Sequence, residues 1–377
     1  SISTSHCDAM TPGNSSSDQK PNLGKTIMDD FRRGDFERTL RRDFSELKDF
    51  MLTEERQKRL KEMKQVKRWL FMAWWFLESL FLKLTPARRI LLLLATLFLI
   101  SNISVRTDGS GANFEGFHFI GALILLFIIM LELKDKLLAH EELEAGHAVQ
   151  DALKPERTPQ VSGWGLWLFT RSANEVGGDL VDFIQITPER IGVTLGDVAG
   201  KGLRAALLTA KLQATIRALV PDVTSLSLLA SKLNFIFCRD SLPNLFASVV
   251  YAELQPDSGL IRMVNSGHLP PVVLRNGRIE KTEKGGMALG LSHQATFTDQ
   301  HVELGRGELM IVYSDGFTEA RNLEGSFFGE QRILDLLPQL ATYSAQQIGD
   351  RLLEEVDRFV GEARAYDDIS IAILKRL

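Results

Sequence analysis

The spacing of apolar positions divides this chain into unlike regions. From Ser1 to about Lys25 the residues are mostly Ser, Asp, Asn, Pro and Gly with no apolar period. Such a stretch cannot offset its ordering entropy, so residues 1–25 are expected to be a disordered tail. Over 26–86, Phe31, Phe36, Leu40, Phe44, Leu47, Met51 and Leu52 recur at spacings of three to five among dense mixed charges, which predicts amphipathic helices. The run Trp69 to Leu77 follows Lys64, Lys67 and Arg68; its tryptophans beside basic residues suit a membrane interface, and a core helix of a small sensor domain fits equally.

Two nearly charge-free runs come next, Ile90 to Val105 and Phe117 to Leu131, joined by a loop containing Asn, Gly and Ser. Each falls short of the roughly 20 apolar residues of a typical span. Because they stand in tandem with basic residues on both flanks, residues 87–132 are expected to form two transmembrane helices, with a buried hairpin as the alternative. Lys83, Arg88 and Arg89 before the pair and Lys134 and Lys136 after it, against Arg106 alone in the loop, place both termini in the cytoplasm of a multi-pass inner-membrane protein. Leu133, Leu137, Leu138, Ala145, Val149 and Leu153 then continue a helical stripe until Pro155 and Pro159. Residues 133–160 are therefore expected to be a signalling helix, either packed within the chain or paired in a homodimer.

From 161 to 377 the texture changes to short strands punctuated by glycine turns, including GLWLFT, LVDFIQI, RIGVTLGD, LFASVVYAEL and DDISIAILKRL. Tight turns imply antiparallel pairing, since parallel strands need long crossovers. Helices fit about 203–220, 224–239, 331–340 and 344–360, too few to alternate with the strands. The expected class is α+β, a two-sheet sandwich with helices outside.

Composition excludes several functions. The net charge of −4 gives no electrostatic case for nucleic acid. Cys7 and Cys238 stand far apart and predict no disulfide framework. Mean hydropathy is −0.02 at an ordinary 24% charged residues, so the apolar runs at 90–131 account for the excess.

The candidate chemistry is carboxylate chemistry. Asp179 ends EVGGD, Asp197 ends an apolar strand in LGDVAGKG, Asp315 ends IVYSDG, and Asp367 and Asp368 open the last strand. A carboxylate at a buried strand end is costly unless it is paired or coordinates a cation. Converging strand ends would form an all-oxygen site suited to Mg²⁺ or Mn²⁺ rather than zinc. The TPER turn after LVDFIQI brings Asp179 and Asp197 to one end of a hairpin. GDVAGKG does not match a phosphate loop, because three residues rather than four separate Gly196 from Gly200 and no Ser or Thr follows Lys201. His268 is expected to be structural.

Together, EVGGD, GDVAGKG, FASVVYAEL, NSGHLPP at Asn265 to Pro271, YSDGFTEARN and the terminal DDIS resemble the metal-dependent PPM (type two C) protein phosphatases, most closely the SpoIIE-like bacterial branch. The resemblance covers about 149–377. It implies an αββα sandwich, a binuclear Mn²⁺/Mg²⁺ centre and phosphoserine or phosphothreonine on a regulatory protein as substrate, often an anti-sigma-factor antagonist. Carried over by position, Asp197 would bridge both ions and, with Asp179, form the catalytic pair. The Val198 carbonyl would be a further ligand, and Asp315 and Asp367 would hold the second ion, with Asp368 as the neighbouring alternative. Ala199 stands where many eukaryotic members carry a histidine, so no general acid is assigned. A catalytically silent binding module on the same fold is the rival reading. The helix at about 131–153 is expected to regulate the site through GDVAGKG.

Overall fold

The computed structural model describes residues 65–100, 105–106, 113–114, 117–240 and 245–377. The expected tail at 1–25 and the helices over 26–64 lie outside them. The chain divides into a unit ending at Lys134 and a second unit over Asp135–Leu377.

The first unit contains α1 (Gln65–Lys83), α2 (Pro86–Ile100) and the start of α3 (Phe117–Leu153). Gly121 of α3 sits against α2, so that a Cβ there would come within 2.9 Å of the Ala95 carbonyl. Arg88 pairs with Glu132 at 2.6 Å. These two contacts set α2 and α3 antiparallel, as a hairpin. The expected transmembrane spans are not borne out: among the described residues, no helix is long and apolar enough to cross a membrane. Helix α2 has 15 residues, a rise of about 22 Å against a hydrocarbon core of about 30 Å. The apolar part of α3 ends at Leu131, where Glu132, Lys134, Asp135 and Lys136 begin. Helix α3 continues unbroken to Leu153, as the uninterrupted stripe predicts.

In the second unit, period-two patterning yields β1 (Trp164–Arg171), β2 (Asp179–Thr187) and β3 (Arg190–Val198), followed by α4 (Leu203–Leu219) and α5 (Leu226–Asp240). Next come β4 (Ala247–Leu254), β5 (Leu260–Ser266), β6 (Val272–Arg275), β7 (Arg278–Lys281), β8 (Gln300–Glu303) and β9 (Leu309–Tyr313). Helix α6 (Glu330–Leu336) runs into a 3₁₀ turn at Leu337–Leu340, and α7 (Ala345–Val360) precedes β10 (Ile369–Arg376). Ser344 caps α7 in a reciprocal pair with Gln347, satisfying N–H groups that have no partner inside the helix.

One sheet has the order β8-β5-β4-β3-β2 and the other β1-β10-β9-β6-β7, with antiparallel pairing throughout. Leu166, Leu168, Val193, Leu195, Val250, Met310 and Ala372 fill the space between the sheets. Leu212, Ile216, Leu229 and Leu233 pack α4 and α5 against the outer face of the first sheet. Ile333, Ile348, Leu352 and Val356 cover the second sheet, where the fully buried Trp167 occupies the space left by Gly349. Each such side chain contributes about 1.5–3 kcal/mol of transfer free energy. The result is the expected αββα sandwich of four layers.

Candidate active site

Strands β2 and β3 pair residue for residue, and their register sets Asp179 directly opposite Asp197. Asp197 is in turn the register partner of Ser248 on β4. The loop into β2 lies close to the end of β3: a Cβ on Gly178 would come 2.8 Å from the Val198 carbonyl oxygen, so glycine is needed there. The chain leaves β3 through Gly200 (φ 115°) and Gly202 (φ 71°), left-handed positions that turn it into α4.

The carboxylates perturb one another. Burial, then the Asp197 charge, pushes the Asp179 carboxyl well above its ordinary range, and Asp368 adds to the shift while the Ser370 and Ser314 hydroxyls oppose it. Asp197 is pushed up to about 7 by burial and by Asp315, Asp367 and Asp368, with Lys201 opposing. Asp315 is raised by burial and by Asp367, with the Gly316 N–H and Lys201 opposing. The expected carboxylates Asp179, Asp197, Asp315, Asp367 and Asp368 therefore act as one electrostatic group.

Asp367 and Asp368 part company. Asp368 is buried and accepts from the Ala173 N–H at 2.7 Å, the Gly178 N–H at 2.6 Å and the Asp179 N–H at 3.4 Å. Its carboxylate thereby holds the loop before Asp179. Asp367 is more open, and its Oδ2 meets Lys201 Nζ at 3.0 Å.

The residues present fit a hard divalent cation. Their donors are all oxygen, the carboxylates raise one another's proton affinity, and Asp179 Oδ2 is shut off from solvent without a hydrogen-bond partner. The arrangement is open: among the described residues no three His, Cys, Asp or Glu side chains form a ready-made metal cage.

Three supporting features escaped the sequence reading. Gln150 of α3 exchanges two hydrogen bonds with Gly177, its Nε2 donating to the carbonyl at 3.0 Å and its Oε1 accepting from the N–H at 3.1 Å. Thr209 Oγ1 donates to the Gly178 carbonyl at 2.6 Å, and Gln213, one turn further along α4, donates to the last carbonyl region of α3 at Leu153 (2.9 Å). Helix α3 thus contacts the EVGGD loop, whereas the sequence reading had it acting through GDVAGKG. The only advance signal was the position of Gln150 on a helix running into the domain.

His268 is structural, as expected. Its Nε2 lies 3.1 Å from the Tyr313 carbonyl, an acceptor, which makes Nε2 the protonated nitrogen and leaves Nδ1 to accept from Ser248 Oγ at 2.9 Å. The ring therefore ties β4 of one sheet to β9 of the other. Burial lowers its pKa to about 4.

This sandwich with carboxylates gathered at strand ends has the fold of the PP2C-type phosphatases. The chain aligns with the SiaA PP2C domain of Pseudomonas aeruginosa at TM-score 0.56 and 17% identity, over 64% of this chain and 98% of that one. It aligns with the PP2C domain and regulatory fragment of SpoIIE from Bacillus subtilis at TM-score 0.50 and 18% identity, over 59% and 64% of the two chains. Residues 187–377 match the family model described as stage II sporulation protein E (SpoIIE), and the chain belongs to that family. Among curated relatives, Protein IcfG of Synechocystis sp. is 26% identical over 68% of this chain and 46% of its own length. Phosphoserine phosphatase RsbU of Bacillus subtilis is 24% identical over 62% of this chain and 70% of its own. The match thus spans less than half of IcfG.

Proposed function

We propose that this chain is a protein serine/threonine phosphatase that hydrolyses phosphoserine or phosphothreonine on a regulatory protein, an anti-sigma-factor antagonist being the substrate class that its family resemblance implies. The observation that carries this reading is the facing pair Asp179 and Asp197, coupled electrostatically to Asp315 and Asp367. Asp197, Asp179 and the Val198 carbonyl would hold one divalent ion and Asp197, Asp315 and Asp367 a second, Mn²⁺ or Mg²⁺. Ions held there would supply Lewis-acid activation of an attacking water and charge neutralisation at the phosphoryl oxygens.

The chain's own residues keep this site in shape. Asp368, Gln150 and Thr209 fix the backbone before Asp179 through its N–H and C=O groups. His268 holds the two sheets together at Ser248, beside Asp197 in register. No side-chain nucleophile is needed, which fits a site of carboxylates. The silent binding module is disfavoured because all four carboxylates are retained and coupled. Hydrolysis of a phosphopeptide with Mn²⁺, by wild type against Asp197→Asn, separates the two readings.

Placement at the cytoplasmic membrane belongs to the same proposal and rests on exposed apolar side chains such as Leu93, Leu97, Ile100, Phe119 and Ile129. With no described helix long enough to span, attachment would be interfacial. Release from membranes by alkaline carbonate supports that placement, and full recovery in the soluble fraction before any extraction contradicts it. A homodimer through α3 would use the exposed Leu137, Leu138 and Val149, and the mass of the chain in solution tests it.

A further inference from the structure

Two cations gather on one aromatic ring at the rim of the carboxylate site. Arg321 Cζ lies 3.7 Å from the centroid of the Tyr366 ring and 4.6 Å from that of Phe327. Lys201 Nζ lies 4.8 Å from the Tyr366 centroid and donates to the Tyr366 carbonyl at 2.9 Å. Each of the three lies near a site carboxylate in sequence: Tyr366 immediately precedes Asp367, Lys201 is four residues after Asp197 in GDVAGKG, and Arg321 is six after Asp315 in YSDGFTEAR.

The two cations differ in how they are held. Lys201 is half-exposed, is paired with Asp367, and sits between the left-handed Gly200 and Gly202, so its ammonium is a point charge on a turn. Arg321 makes no ion pair among the described residues, and its buried Nε has no hydrogen-bond partner. A guanidinium stacked on two rings is fixed in its plane while its edge keeps donors free, and that planar fork matches the oxygens of a phosphate. The surroundings suit a peptide, since Phe327, Tyr366 and Leu323 are exposed beside it.

A cluster of carboxylates repels a phosphoserine, whose charge is about −1.5 to −2 at neutral pH. Divalent ions held by the carboxylates would balance their charge, and cations at the rim add attraction on the side from which the substrate arrives. We propose that Arg321 and Lys201, gathered on Tyr366, receive the phosphoryl group of the phosphoprotein substrate, Arg321 as a fixed fork and Lys201 as a mobile point charge. This rests on the phosphatase reading for its substrate but not for its test, because anion binding is measured without turnover.

The test titrates inorganic phosphate into the full-length chain supplied with Mg²⁺, by calorimetry, for wild type, Arg321→Ala, Arg321→Lys and Lys201→Met. Arg321→Ala is expected to weaken phosphate binding by about tenfold or more, the loss typical of a charge-assisted pair, and Lys201→Met by less. Arg321→Lys keeps the charge without the fork and should fall between wild type and Arg321→Ala; it replaces the alanine variant if that one melts early. With a phosphopeptide, the arginine variants should raise KM by a larger factor than they lower kcat. Phosphate affinity within twofold of wild type in both arginine variants overturns the proposal, even if hydrolysis is normal. Failure of wild type to hydrolyse any phosphopeptide would overturn the phosphatase reading while leaving the anion-binding result to stand or fall separately.

Discussion

Asp179 and Asp197 face each other across the β2–β3 ladder as register partners, and the Asp197 charge raises the proton affinity of Asp179 while Asp315, Asp367 and Asp368 raise that of Asp197. Without cations this is a destabilising arrangement. Asp197 has a folded-state pKa of about 7 against an ordinary 3.8, so the folded protein binds more protons between those values. Its contribution is therefore fully present below about pH 4 and is lost as pH rises through 7, at up to about 1 kcal/mol per pH unit within that window. Asp197→Asn should raise the melting temperature of the cation-free protein at pH 8 and flatten its pH dependence. Chelator-treated samples melted at pH 6 and pH 8 check this, and a less stable variant at pH 8 would contradict it.

The same titration governs cation uptake. Carboxylate ligands must be deprotonated to bind, so Mn²⁺ affinity should fall as pH drops below about 7, by up to tenfold per unit for one competing proton. Calorimetry at pH 8, 7 and 6 measures it. Affinity that does not change across that range would show that Asp197 is not a ligand.

His268 predicts the opposite slope. Its folded-state pKa is about 4 against an ordinary 6.5, so the unfolded chain binds the extra proton in that interval and acidification favours unfolding. The protein should lose about 2 kcal/mol from this group between pH 7 and pH 5. Urea unfolding at the two pH values should show that His268→Gln is less stable than wild type at pH 7 and less sensitive to acid.

Gln150 holds Gly177 by both its N–H and its C=O, two residues before Asp179. Gln150→Ala should weaken Mn²⁺ binding by about tenfold, as loss of a partner behind the ligands typically does, and raise hydrogen exchange at Gly177 and Gly178. Unchanged affinity and exchange would leave α3 as a mere tether.

Much of this was legible in the sequence because it depended on local rules. The TPER turn between two alternating runs fixed the end of the hairpin at which Asp179 and Asp197 meet, and strands without long crossovers excluded a parallel sheet. The choice between Asp367 and Asp368 was not legible. Neighbours on an extended chain point to opposite sides, and which one meets the loop before Asp179 depends on how β10 docks beside β1. The apolar pair at 90–131 misled because a short helical hairpin and a membrane span share the same composition; the difference lay in the 15 residues of α2. Arg321 reads in sequence as an ordinary solvated cation, and only the fold brings Tyr366 beneath it.

Under the proposed function, Asp197 anchors a cation-dependent phosphatase site. The most direct test of that role is the rate of phosphate release from a phosphoserine peptide by the full-length chain with Mn²⁺, compared with Asp197→Asn of matched fold. Wild type is expected to release phosphate only with Mn²⁺, and the variant to lose activity well beyond the roughly ten- to hundredfold cost of removing an outer-sphere partner. Release that persists in Asp197→Asn, or that wild type sustains in the presence of chelator, would contradict that role.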